Sequence, residues 1–183
     1  MLSSVPPGPR QCLPRRRFVR DYGEIRPYAG RCRERILRLD LEGLMREAIQ
    51  EALQAKAEGN KGYGSLLVRG DRVLARAHDT ATTEGDPSLH AEHSAILEAV
   101  RREGSPDLTG ALLVSTCEPC PMCTGLAVWA GVTTIVFGSS IAATAAMGRS
   151  RILVSAGEIA ERAPQVLEVI GGMLREECDP LYA

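Results

Sequence analysis

Apolar residues follow a succession of distinct periods along the 183-residue chain. Over residues 40–58, Leu41, Leu44, Met45, Ala48, Ile49, Ala52 and Leu53 recur at the i, i+3, i+4, i+7 spacing of one buried helix face. Asp40 supplies a start cap for that helix and Gly59 a stop. Two short runs, 64–69 and 72–77, then flank Gly70-Asp71 and predict a β-hairpin. Residues 78–88 are polar and read as a loop. Helical spacing returns over 89–103 through Ala91, Ala95, Ile96, Ala99 and Val100, and Gly104 ends it. The run Ala111-Leu112-Leu113-Val114-Ser115-Thr116 reads as a buried strand. A helix over 120–130 follows, with Pro119 and Pro121 where a first turn tolerates proline. Residues 133–137 form a second buried strand. Beyond Gly138 the pattern weakens. It predicts a loop over 139–150, a short helix over 158–163, a strand over 166–170 and a closing helical turn or two over 173–178.

Strand–strand–helix–strand–helix–strand predicts an α/β domain with one mixed sheet, spanning residues 40–183. Residues 1–39 depart from it. Pro6-Pro7-Gly8-Pro9, Pro14 and the self-repelling Arg15-Arg16-Arg17 predict a basic, poorly ordered leader; its functional readings are a basic arm or a targeting peptide, the latter weakened by four acids and few serines, and its plainer reading is a disordered leader without function.

Charge sharpens that division. Ten of the 22 basic residues and four of the 23 acidic ones lie in residues 1–40, leaving 12 bases against 19 acids in the rest. A body negative by about seven charges repels a phosphate backbone, so any contact with nucleic acid is expected at the head. No apolar run approaches the ~18 residues of a membrane span, and no apolar core of a secretory signal is present. The expected location is therefore cytoplasmic, with organelle targeting by the Arg-rich leader as the alternative.

Three of the six cysteines, Cys117, Cys120 and Cys123, lie within seven residues, which favours metal binding over a disulfide framework. Cys120 and Cys123 stand i, i+3 at a helix start, where both thiols project to one side and the helix terminus lowers thiol pKa. His90 opens a different helix and offers a nitrogen. Three protein ligands with one open position is the pattern of a catalytic zinc site, one ion per chain. Zinc in such a site activates water near neutral pH, and Glu92, unpaired beside His90, is placed to shuttle its proton. Taken singly, these residues have plainer readings: Cys-x-x-Cys as a redox pair or half a structural zinc knot, His90 as a core histidine, Cys117 as a small residue at a strand end.

The pair His90-Ala91-Glu92 and Pro119-Cys120-Pro121-Met122-Cys123 resembles the signature of the cytidine deaminase superfamily, a zinc deaminase motif of known chemistry. The resemblance covers roughly residues 40–180. It implies a three-layer α/β/α sandwich with a mixed five-stranded sheet. It also implies zinc on His90, Cys120 and Cys123, Glu92 as proton shuttle, and hydrolysis of an exocyclic amine on a nucleobase ring with release of ammonia. Cys117 to Cys123 followed by Trp129-Ala130 resembles the bacterial guanine deaminases, and Asp86-Pro87 before the histidine motif is shared with bacterial tRNA adenosine deaminases. The base-binding asparagine of these relatives falls at Asp79, which as an ionised carboxylate only accepts hydrogen bonds and suits a ring edge presenting N–H donors. Trp129 is expected either to wall the pocket and stack on a base or to pack in the core. His93, one turn from His90, reads as second to the ligands or as an ordinary surface histidine. The acid-free segment 137–150 departs from the guanine deaminases, and Tyr182 matches a tyrosine they carry near the C-terminus.

Three functions stay open from the sequence. The first is a deaminase of a free base or nucleoside, purine such as guanine or cytosine-type, favoured by the acidic body and the acidic end Arg175-Glu176-Glu177-Cys178-Asp179. The second is a tRNA-specific adenosine deaminase, and the third a catalytically silent zinc-binding subunit, against which the intact Glu92 argues. A homodimer is expected by the same resemblance, and no membrane partner.

Overall fold

The computed structural model describes residues 39–183 and the backbone of residues 19–21. Its centre is a mixed sheet with the order β1-β6-β5-β4-β2-β3. The strands are β1 (Val19–Asp21), β2 (Gly64–Arg69), β3 (Arg72–His78), β4 (Ala111–Cys117), β5 (Thr134–Ser139) and β6 (Glu168–Gly171). β2 pairs antiparallel with both β3 and β4, while β4, β5 and β6 run parallel. Five of these strands are the expected mixed sheet. The sixth, β1, adds itself in parallel to β6, with Val19 opposite Val169. It falls inside the segment read as a poorly ordered leader; the rest of that segment, to residue 38, lies outside the described residues.

β4 and β5 are buried along their whole length, which is why their sequences are continuous apolar runs rather than alternations. One face is covered by α1 (Leu41–Ala57) and the C-terminal segment, through Met45, Ala48, Ile49, Ala52, Met173 and Tyr182. The other is covered by α3 (Ala91–Glu103), α4 (Pro121–Trp129) and α6 (Ala156–Ala160), through Ala95, Ile96, Ala127, Val128, Ala156 and Ala160. The result is the three-layer α/β/α sandwich. Asp40 caps α1 by accepting the Gly43 N–H at 2.9 Å. Gly64 opens β2 where a Cβ would strike the Ala48 carbonyl and Ala52 amide of α1, so the helix lies directly on the strand.

Two predicted loops contain helix. Residues 78–88 include the single turn α2 (Ala81–Glu84), and residues 139–150 include α5 (Ile141–Ala146). α5 starts on Ser140, whose side chain accepts the Ala143 N–H, and Ile141 and Thr144 are its buried residues. Only two inward positions in six residues left no period to read. The chain closes with α7 (Arg175–Cys178) and a 3₁₀ turn, Asp179–Leu181. Among the described residues no helix is long and apolar enough to cross a membrane.

Candidate active site

The site forms where β3 and β4 end and α3 and α4 begin. His90 is the N-cap of α3 and Cys120 the N-cap of α4, both in extended backbone, so each side chain projects off a helix start. Pro121 takes the first helical position of α4, where its missing N–H costs nothing, and Cys123 lies one turn in. His90 Nδ1 lies 3.5 Å from Cys120 Sγ and 3.6 Å from Cys123 Sγ. Tetrahedral zinc with Zn–N near 2.0 Å and Zn–S near 2.3 Å separates a nitrogen and a sulfur donor by about 3.5 Å. The three side chains fit that ion, and they form the metal-binding cluster found among the described residues. Cys120 is held down to about 3, chiefly by its hydrogen bond with Cys123, against the cost of burial and with help from His90. Cys123, buried and giving its proton to that bond, is pushed up. Thiolate character at Cys120 is what a zinc ligand needs.

Glu92 stands in the first turn of α3 and is 5% exposed. Burial pushes its carboxyl above the usual range, and Oε1 accepts a hydrogen bond from Ser115 Oγ at 3.3 Å. His90, Glu92 and Cys120 line one cavity of about 300 Å³. Lys61, Tyr63 and Arg151, which the sequence did not single out, are also part of its wall. Arg151 Nη1 donates to the Tyr63 hydroxyl at 3.4 Å, and its carbon centre lies 5.5 Å from the Tyr63 ring centroid. Its Nη2 donates to the Glu118 carbonyl at 3.0 Å and to Cys117 Sγ at 3.4 Å. Cys117 thus belongs to the arginine, not to the histidine cluster, and burial pushes its thiol up to about 12. The trace of Arg151 in the sequence is compositional: residues 119–157 hold no acid and two arginines, Arg149 and Arg151.

Neither of the two proposed substrate contacts lines this cavity. Asp79 is 1% exposed, its Oδ1 accepts the Ala81 N–H at 3.3 Å, and it is not among the residues that line the cavity. Burial raises its carboxyl, with nearby His90 opposing. Trp129, the last residue of α4, is 81% exposed and neither packs in the core nor faces the cavity. It lines a separate surface groove with Val154, Ile159 and Pro164 that shares no residue with the cavity. The helical phase explains this: Cys123, Ala127 and Val128 occupy the inward face of α4 and leave Trp129 outward. His93 keeps a buried Nδ1 without a hydrogen-bond partner among the described residues. His78 is bridged by Glu51 and Glu58, each at 2.9 Å.

Residues 39–139 match the family described as the cytidine and deoxycytidylate deaminase zinc-binding region. The chain belongs to this family. It is a zinc-dependent deaminase, a hydrolase acting on C–N bonds. Among its relatives, the tRNA-specific adenosine deaminase of Bacillus subtilis is 39% identical over 134 residues, 73% of this chain and 81% of the relative. The guanine deaminase of the same organism is 34% identical over 90 residues, 49% of this chain and 58% of the relative. A solved structure from a study of A-to-I editing by tRNA:A34 deaminases at the wobble position of transfer RNA superposes with a TM-score of 0.67 at 25% identity, covering 76% of this chain and 98% of that one.

Proposed function

We propose that this deaminase acts on a free nucleobase or nucleoside. The observation that carries the reading is the cavity: about 300 Å³, reached by Glu92 and walled by Tyr63 and Arg151, it suits one ring with its substituents. The body's excess of acids supports the same reading, since it disfavours a phosphate backbone. In the reaction, water adds to the ring carbon that bears the amine, the C–N bond breaks, and a carbonyl and ammonia result. His90, Cys120 and Cys123 hold zinc, which when bound supplies Lewis-acid activation of water. Glu92 takes the proton of the attacking water and returns it to the departing amine, and its burial keeps that exchange away from bulk solvent. Ser115 orients the carboxylate through Oε1.

A second reading, deamination of adenosine in tRNA, draws on the 39% identity with the Bacillus subtilis enzyme over most of both chains. The test is ammonia release by the zinc-loaded protein on a panel of purine and pyrimidine bases, nucleosides and tRNA, with Glu92→Gln as control. Release from small molecules, reduced roughly 10²–10⁴-fold by Glu92→Gln, supports the first reading. Activity on tRNA alone overturns it in favour of the second. We further propose a homodimer, supported by the exposed apolar side chains Trp129, Ile152 and Leu153.

A further inference from the structure

Arg151 is a half-buried cation in the wall of the reaction cavity, and among the described residues no carboxylate pairs with it. Its partners are a phenol, a carbonyl and a thiol, all neutral acceptors. A guanidinium carries five N–H donors. Two on Nη2 and one on Nη1 are engaged, leaving Nε–H and the second Nη1–H without an acceptor among the described residues. Lys61, exposed on the same cavity wall, adds a second positive charge. The one carboxylate in the wall, Glu92, is committed to the proton of the reaction.

The arginine is also held in place. Glu118, 4% exposed, accepts the Ile141 N–H with Oε2 and the Ala156 N–H with Oε1, both at 2.9 Å. These two bonds fasten the starts of α5 and α6 on either side of Arg151. The guanidinium therefore meets an incoming ring in a fixed orientation. A ring that offered it only C–H would strip water from a free donor and give nothing back, whereas a ring bearing an electron-rich oxygen satisfies it with a charge-assisted bond.

We propose that Arg151, with Lys61 beside it, selects substrates that carry an electron-rich oxygen, a ring carbonyl or a phosphate, in addition to the amine that is hydrolysed. This rests on the small-molecule reading above. Arg151 is then a specificity-determining residue, and Cys117, Glu118 and Tyr63 are positioning residues that aim it.

The experiment compares the wild-type and Arg151→Met proteins, both zinc-loaded, on three matched pairs: guanine with 2-aminopurine, cytosine with 4-aminopyrimidine, and cytidine with cytidine 5′-phosphate. Each pair is followed by kcat/KM and by calorimetric binding. The first two pairs differ at the ring carbonyl, the third at the phosphate, so the pair that responds names the source of the oxygen. The expected result, in the pairs that differ at the oxygen Arg151 reads, is a wild-type preference for the member carrying that oxygen, and Arg151→Met lowers this preference by about 10- to 100-fold. Equal loss on both members of all three pairs, the signature of a mere structural brace, overturns the proposal, as does no loss in any pair. If Arg151→Met does not fold, Arg151→Lys decides the matter, because it keeps the charge, loses the planar fork, and is expected to lower the same preference. Deamination of a small molecule with an unchanged preference removes this proposal and leaves the function standing. Activity on tRNA with none on the six small molecules removes both.

Discussion

The Glu118 carboxylate accepts the backbone N–H of Ile141 at 2.9 Å across 23 residues of chain, and its second oxygen takes the N–H of Ala156 at the same distance. One buried side chain between the strand β4 and the candidate zinc ligand Cys120 thereby caps two helices and fixes the segment that carries Arg151. Glu118→Gln turns one acceptor oxygen into an NH₂ facing an N–H. The expected cost is about 1–3 kcal/mol of folding stability, because one buried helix-start amide loses its acceptor. Denaturant unfolding checks this, and zinc content is expected to stay at that of the wild type.

Much of this architecture was legible in the chain, and the reasons differ by element. α1 and α3 each bury one long stripe, so their periodicity is read directly. β4 and β5 are buried on both faces and appear as apolar runs. The zinc cluster is legible because its donors sit at two helix starts with fixed local spacing, and spacing survives in sequence. Arg151 and Tyr63 are 88 residues apart and meet only through the sheet, so nothing local marks them as partners. Trp129 was misplaced for a related reason: a lone tryptophan in an apolar helix suggests an inward face, and only the packing of α4 shows which side is covered.

Zinc should follow the donor set rather than the cysteine count. Cys120→Ser and Cys123→Ser are expected to lose bound zinc, measured as metal per chain by plasma mass spectrometry. Cys117→Ser is expected to retain it, since that thiol faces Arg151 and Thr144. Zinc added to the apo-protein at 100 times its dissociation constant should raise stability by about 2.7 kcal/mol, seen as a higher melting temperature. Zinc loss from Cys117→Ser equal to that from Cys120→Ser would place Cys117 among the ligands.

His78 makes stability depend on pH in a direction that can be stated. Burial works against its charge, but the Glu51 and Glu58 carboxylates outweigh burial and raise its pKa above the usual histidine value. A pKa raised in the folded state gives stability that is full below the unfolded pKa and is lost as pH rises through the folded one. His78→Gln should therefore be most destabilising near pH 6 and converge toward the wild type by about pH 9. Chemical denaturation at the two pH values checks it, and a difference that grows with pH contradicts the assignment.

Tyr182 ties the end of the chain to the centre of the sheet. Its hydroxyl donates to Thr116 Oγ1 at 2.7 Å, and that same oxygen accepts the Gly64 N–H at 3.1 Å, so one threonine joins the C-terminus to β4 and β2. The Tyr182 ring is 1% exposed and stacks on Tyr63 at 5.1 Å between centroids, while Arg149 donates to the Tyr182 carbonyl at 2.9 Å. Tyr182→Phe removes only the hydroxyl, and Thr116 keeps a second partner, so the expected loss is about 0.5–1.5 kcal/mol. Tyr182→Ala also opens a cavity under Tyr63 and should cost about 3–5 kcal/mol. Because Tyr63 holds Arg151, the alanine variant is further expected to weaken substrate binding while zinc content stays constant. Tyr182→Phe, which keeps the ring stack, is expected to leave KM unchanged. Unfolding curves and KM for the two variants separate the hydroxyl from the ring. A KM change in Tyr182→Phe as large as in Tyr182→Ala would show that the hydroxyl, and not the stack, sets the position of the cavity wall.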